Sequence, residues 1–448
     1  MTTLRTQLSV LVLTAASIAL AGCNLQQTAP LSTQGAAFGG SVYGGQQPIG
    51  NATIQLYAAG NSGYGSAYPY TNGVSLLNSP VTTSATGTFS ISSDYTCPSA
   101  STPVYIVATG GTPNPPAGTV NNQIALMAAL GPCGTAAATH PHLTLNELST
   151  VASVYALSPF MTGITNIGTT ATNATGIANA FATVNKLANI ATGSAGGPAL
   201  PPNAVAPVSK LNTLANILAT CVNSNGGKAG DSSGCGSLFT DTSVNGVAPT
   251  DTITAVMNIA QHPNLNTTGL TNLVPGTAPF QPSLTTPPAD YSLVVTYSSG
   301  GISAPKGIAA DSNGNVWTAN SGNNTATEID ALGVTSTDTT GYLSGASGYS
   351  AGPLSTPSAV AIDASGNAWL TNAGNNTVTQ ISSSGATGTV FSGGNMSSPS
   401  SIAIDASSNI WIANQGNGSI TQISSAGALS NYTGAGINAP TAIAINPK

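Results

Sequence analysis

One segment of the sequence repeats itself, and the repeat limits what the chain can fold into more than any other feature. Residues 305 to 320 read PKGIAADSNGNVWTAN, 357 to 372 read PSAVAIDASGNAWLTN, and 399 to 414 read PSSIAIDASSNIWIAN. A fourth start, PTAIAINPK, begins at Pro440, so the opening prolines Pro305, Pro357, Pro399 and Pro440 are spaced by 52, 42 and 41 residues. The natural period is therefore near 42, and the first unit carries an insertion near Thr335 to Tyr349. All three tryptophans, Trp317, Trp369 and Trp411, fall in one slot of the repeat, and Asp311, Asp363 and Asp405 fall in another. Within the second unit, alternation of apolar and polar residues predicts strands at Val360 to Asp363, Ala368 to Thr371, Thr377 to Ile381 and near Thr387 to Phe391. Asp363 and Gly366 suit the first turn, because Asp bonds forward to the backbone and Gly accepts positive φ.

Four antiparallel strands in about forty residues form a unit that buries its faces only against neighbouring units, as a propeller blade does. The pattern PxxIAxDxxGNxWxxN followed by NNTVT resembles the NHL repeat and the related propeller of virginiamycin B lyase. Likeness to the lyase implies a general-base histidine with acidic and metal-binding help, but the last histidine is His262, before the repeats. That chemistry is not carried over. The recurrent Asp311, Asp363 and Asp405 are expected to be structural, with calcium binding the minor reading. Residues 291 to 448 supply about three blades and a lone strand at Ala442 to Ile445, with Tyr291 to Tyr297 the outer strand of an earlier blade. Propellers usually have four to eight blades. The sequence is therefore read as truncated, as an arc that a second copy completes, or as an open arc. Truncation is favoured, because the chain stops just after a strand.

The N-terminus supplies an address. After Arg5 comes an apolar run from Leu8 to Leu20, too short to span a bilayer, ending in Leu20-Ala21-Gly22-Cys23. This resembles the lipobox of bacterial lipoproteins. The resemblance implies cleavage before Cys23, acylation of that cysteine, and anchoring in membrane lipid through two or three chains. Asn24 follows where Asp would favour the inner membrane, so the outer membrane of the cell envelope is expected. Residues 24 to 37 read as a flexible tether. The other cysteines, Cys97, Cys133, Cys221 and Cys235, are even in number in an exported chain and read as disulfides. Position in the domains favours Cys97 with Cys133 and Cys221 with Cys235.

Between tether and repeats two further domains are expected. Residues 38 to 140 carry short alternating strands at Gly39 to Gly45, Ala52 to Ala58, Thr88 to Ile91 and Val104 to Ala108, which suggest a β-sandwich. Their order resembles the carboxypeptidase-regulatory or prealbumin-like domains, which implies a spacer without catalytic residues. Near Leu145 the period becomes helical, with runs at Glu147 to Leu157, Ile177 to Ile190, Lys210 to Val222 and Thr252 to Ala260. These predict a four-helix bundle over residues 145 to 262. A proline-rich linker over 264 to 290 then leads into the propeller. The fold class is thus multidomain and mainly β with a helical insert.

Composition narrows the function. The 448 residues include only 6 Lys or Arg, 12 Asp or Glu and 3 His, with net charge −6. Nucleic acid is excluded as a partner, since neutralising phosphates needs clustered cations. No Walker loop or dinucleotide fingerprint occurs, and no cofactor is expected. His140 and His142, with Glu147, are the one credible catalytic or metal-ligating cluster, two imidazoles and a carboxylate. Solvated histidines in a connecting segment are the simpler reading. The favoured function is a lipid-anchored binding or scaffold protein whose propeller loops meet a glycan or envelope protein. The alternative is an extracytoplasmic lyase or hydrolase using His140, His142 and Glu147.

Overall fold

The computed structural model describes residues 32–70, 75–114, 118–335 and 338–446. Cys23, the apolar run before it and the first part of the tether lie outside the described residues. Within the tether, Thr33–Gln34 already pairs with Thr96–Cys97, so ordered structure begins before residue 37. Two main-chain pairs suffice for this where no apolar pattern could announce it.

The strands expected near Gly39, Ala52, Thr88 and Val104 are present as Phe38–Gly44, Thr53–Ala58, Thr88–Ile91 and Pro103–Thr109. They belong to two sheets. One runs Ala125–Pro132, Pro103–Thr109, Thr53–Ala58, Val81–Thr82, and the other is built on Phe38–Gly44, Gln47–Gly50 and Thr88–Ile91. The second sheet gains His142–Leu145 as a strand parallel to Phe38–Gly44, which brings the chain straight from the sheet into the first long helix.

The helical runs appear as Glu147–Leu157, Ala174–Leu187, Val208–Val222 and Thr252–Gln261. Asn146 caps the first by accepting from Ser149 N at 2.9 Å, and Asp251 caps the last by accepting from Thr254 N at 2.8 Å. A separate four-helix bundle, however, is not what they form. The described residues hold seven α-helices, adding Cys133–Thr139, Gly234–Asp241 and Thr267–Asn272, and one apolar core runs without a break from Phe38 to Tyr291. The reason lies at the edge of the first sheet. Ala125 to Leu130 is buried throughout, so its free N–H groups cannot reach water. Helix hydroxyls serve them instead: Ala125 N donates to Thr252 Oγ1 at 2.9 Å, Met127 N to Thr150 Oγ1 at 2.9 Å, and Ala129 N to Ser153 Oγ at 3.0 Å. Sheets and helices are one α+β unit.

Both disulfides, Cys97–Cys133 and Cys221–Cys235, are present in this unit. The segment 264 to 290 is not a free linker. It contains Thr267–Asn272, and it is bound along the helix Val208–Val222. There Asn212 Nδ2 donates to Pro282 O and Asn216 Nδ2 to Phe280 O, at 2.9 and 2.8 Å, and Lys210 pairs with Asp290 at 3.2 Å. Prolines, having no N–H to satisfy, suit a strap held through its carbonyls. Tyr291 is buried in the core, and Thr296 bridges Val205, so Tyr291 to Tyr297 belongs to this unit and forms no blade strand.

The repeats form consecutive antiparallel sheets. The second blade is Pro357–Ile362, Ala368–Asn372, Thr377–Ile381 and Gly388–Ser392, and the third is Pro399–Ile404, Ile410–Asn414, Ser419–Ile423 and Leu429–Tyr432. The first has three strands, Pro305–Ala310, Val316–Asn320 and Thr325–Ile329. Its insertion supplies Tyr342 and Tyr349 as single bridges to Ile329 and Ala326 in place of the fourth. Blades pack as the repeat requires. Val360 of the second lies in a cluster with Trp317 of the first, and Ile402 of the third with Trp369 of the second. Ser358 Oγ donates to Pro399 O at 2.6 Å, and Ser400 Oγ to Pro440 O at 2.8 Å, so the fourth repeat start takes up the next blade's place. Among the described residues, Ala442 to Ile445 forms no strand there. At the other end, Ile308 occupies the slot of Val360 and Ile402, which are 7 % and 8 % exposed, yet is itself 73 % exposed.

The first blade is joined to the α+β unit. Lys186 is buried and donates to the carbonyls of Asp330 and Ala331 at 3.3 and 2.6 Å, and Asn179 Nδ2 donates to Asn313 O at 2.7 Å. Burial lowers the Lys186 ammonium to about 8, with Asp330 opposing.

Candidate functional site, a polar cleft between the first two blades

The repeated acids define the turns. Asp363 Oδ1 accepts from Ser365 N and Asn367 N, both at 2.9 Å, while Oδ2 accepts from Asn367 Nδ2 and the Trp369 indole, also at 2.9 Å. Asp405 does the same with Ser407, Asn409 and Trp411. These two aspartates thereby lock turn, tryptophan and asparagine together, and their oxygens are occupied by protein donors. Burial pushes the Asp363 carboxyl up, but the hydrogen bonds, led by that from Trp369, outweigh it and leave the group below its ordinary value. The Trp411 and Asn409 bonds hold Asp405 at about 2.

A second lock was not read from the sequence, although its letters recur. The asparagine ending each second strand is fully buried and donates to two hydroxyls on the third: Asn320 to Thr325 and Thr327, Asn372 to Thr377 and Thr379, Asn414 to Ser419 and Thr421, all between 2.8 and 3.1 Å. The signal was the final N of the motif with the alternating hydroxyls after it.

The first blade departs from this pattern at one place. Opposite tryptophan, the later blades carry Gln380 and Gln422, whereas the first carries Glu328. Asn315 Nδ2 divides itself between Asp311 Oδ2 and Glu328 Oε1, each at 3.0 Å, and the Tyr349 hydroxyl donates to Glu328 Oε2 at 2.9 Å. Tyr349 stacks on Trp317 with ring centroids 5.3 Å apart, as Phe391 stacks on Trp369 at 5.1 Å. Unlike Trp369 and Trp411, Trp317 makes no hydrogen bond to its aspartate, and its buried Nε1 has no partner. Burial raises the Glu328 carboxyl above its ordinary value, Tyr349 and Asn315 oppose, and Asp311 and Asp330 add to the rise. Burial, then Glu328, raises the Tyr349 phenol.

Around these groups lies a cleft of about 530 Å³, in which Asp311, Asn313, Asn315, Glu328 and Tyr349 of the first blade face the Ser365–Gly366 turn of the second. It offers many hydrogen-bonding groups, two carboxyl groups, Asp311 and Glu328, and no basic side chain. A groove of about 670 Å³ near Tyr68 and Thr170 is larger, but Tyr68 is the only titratable side chain that lines it.

The histidine cluster is not assembled. Glu147 is fully buried at the start of its helix, and Gly45 N donates to both of its carboxylate oxygens at 2.9 Å. Gly45 has φ +60° in the turn between Phe38–Gly44 and Gln47–Gly50, where glycine adopts the conformation without strain. His142 is exposed on its strand, and His140 is buried elsewhere, lining a different cavity. No group of three or more His, Cys, Asp or Glu that could hold a metal ion occurs among the described residues.

No family model and no curated protein matches this sequence. Among solved structures, a streptogramin B lyase matches at 20 % identity and TM-score 0.25, over 30 % of this chain and 42 % of that one. A catalytically inactive virginiamycin B lyase from Staphylococcus aureus with quinupristin matches at 22 % identity and TM-score 0.29, over 34 % and 48 %. A nidogen/laminin complex matches at 18 % identity and TM-score 0.27, over 34 % and 55 %. The chain thus spans about half the length of these structures. Its own sheets and cleft define the class: a mainly β repeat protein in which a propeller arc is joined to a disulfide-stapled α+β unit.

Proposed function

We propose that the protein is a non-catalytic binding module of the cell envelope, held to a membrane by lipid on Cys23, which presents the cleft between its first two blades to a neutral polar partner, a glycan or an envelope protein. The observation that carries this reading is the first blade's departure from its own repeat. Glu328 and the Tyr349 insertion replace a Gln and a plain fourth strand, and the result is a polar cleft rather than a better-packed blade. A partner rich in hydroxyl or amide groups fits such a lining, whereas a polyanion does not. Screening the chain from residue 24 against glycans and envelope proteins tests it: a specific partner is expected, and finding none refutes it. The lipobox-like sequence supports the anchor, and the intact mass of the mature N-terminus tests that part separately. The exposure of Ile308 supports the further proposal that a second copy of the chain packs against it.

A further inference from the structure

We infer a second binding site, distinct from the propeller cleft, for a small, neutral, mainly apolar molecule bearing a hydroxyl group. It is a cavity of about 200 Å³ where the strand Ala125–Pro132 and the helix Ala174–Leu187 meet the first blade, with Leu130, Ala178, Phe181, Ala182 and Leu332 in its wall. Ser101, Thr135, Thr139 and Asn185 also line it, so the wall is mainly but not wholly apolar, and into it comes His140, which is 6 % exposed and whose Nε2 is buried with no hydrogen-bond partner.

The position of His140 is built. Cys133 opens the short helix Cys133–Thr139 and is tied to Cys97, and His140 ends that helix with its N–H donating to Ala136 O at 2.9 Å. The backbone that carries the ring is thereby tied to the sheet at Cys97. Burial keeps the imidazole below its ordinary value, with the Leu130 carbonyl opposing, so the ring is neutral near pH 7. A neutral imidazole has one donor and one acceptor. A hydroxyl satisfies Nε2 in either tautomer, donating to the bare nitrogen or accepting from the protonated one. An ion would lose its hydration in a wall this apolar, and an alkane would leave the nitrogen unpaired. A concave, mainly apolar site with a few placed polar groups at a junction of units is the usual form of a small-molecule pocket. His140 also lines a neighbouring cavity of about 390 Å³ beside Ala199 and Val334, which gives the site a path outward.

The test uses 4-fluorophenol and fluorobenzene as probes of the full chain, read by 19F NMR line broadening and titration. A buried acceptor gaining one hydrogen bond corresponds to about tenfold in affinity. The phenol is expected to bind about tenfold more tightly than fluorobenzene, His140→Leu to abolish the preference, and Ala182→Phe, which fills the cavity and leaves His140 intact, to abolish binding of both. The inference fails if neither probe binds, which would mean that water alone occupies the site. It fails equally if both bind alike, if the preference survives in His140→Leu, or if Ala182→Phe binds unchanged. Should His140→Leu not fold, Ala182→Phe decides the matter.

Discussion

Burying a carboxyl against backbone amides with no cation beside it makes stability depend on pH, and Glu147 allows the size to be worked out. Burial raises it from 4.5 to about 7, against the bonds from Gly45 and its own backbone. Below pH 4.5 the group is protonated in folded and unfolded chains alike, and stability does not change with its titration. Between 4.5 and 7 the unfolded chain releases the proton while the folded one keeps it. Each pH unit there costs about 1.4 kcal/mol, roughly 3 kcal/mol over the whole window. Above 7 both states are ionised and the loss is complete. A raised carboxyl thus contributes most at low pH and least above neutrality. Glu147→Gln keeps an oxygen to accept from Gly45 N and removes the ionisation. Urea unfolding at pH 5, 7 and 9 should show the variant near wild type at pH 5 and more stable by about 3 kcal/mol at pH 9. A variant that tracks wild type at all three values would refute the reasoning.

Three further outcomes follow from the packing. Ser153→Ala leaves the buried Ala129 N–H without its acceptor and should cost about 1–3 kcal/mol in urea unfolding. Ser408 sits at φ +61° where the first two blades have Gly314 and Gly366, so Ser408→Gly should stabilise by about 1 kcal/mol, seen as a rise in Tm. Ile308→Asp should lower any self-association detected by sedimentation velocity while leaving the fold, by circular dichroism, as it was, because Ile308 is the uncovered counterpart of two buried blade residues.

The repeat was legible because blade, turn and tryptophan recur together, so each of the three copies confirms the reading of the others. The third strand Thr377–Ile381 was placed to the residue. The union of sheet and helices was not legible. Ala125–Pro132 is a continuous apolar run without alternation, which is what a strand covered on both faces looks like, and it carries no mark of its role. Nor does a mid-helix Thr150 or Ser153 announce that it serves a distant sheet edge. The site divides in the same way. Asp363 and Trp369 could be found by their slots, but Glu328 could be found only by asking where one copy breaks a pattern that Gln380 and Gln422 keep. His140, His142 and Glu147 are close in sequence, yet a buried cavity wall, an exposed strand position and a helix start, in that order, keep them from meeting.

If the first blade's cleft is a binding surface, Glu328→Gln is its sharpest probe, since the change gives the blade the residue its sister blades already carry. With a partner taken from the glycan and envelope-protein screen, isothermal titration should show the variant binding about tenfold or more weakly at unchanged thermal stability, the loss of one charge-assisted hydrogen bond. Equal affinity for wild type and variant would contradict the claim.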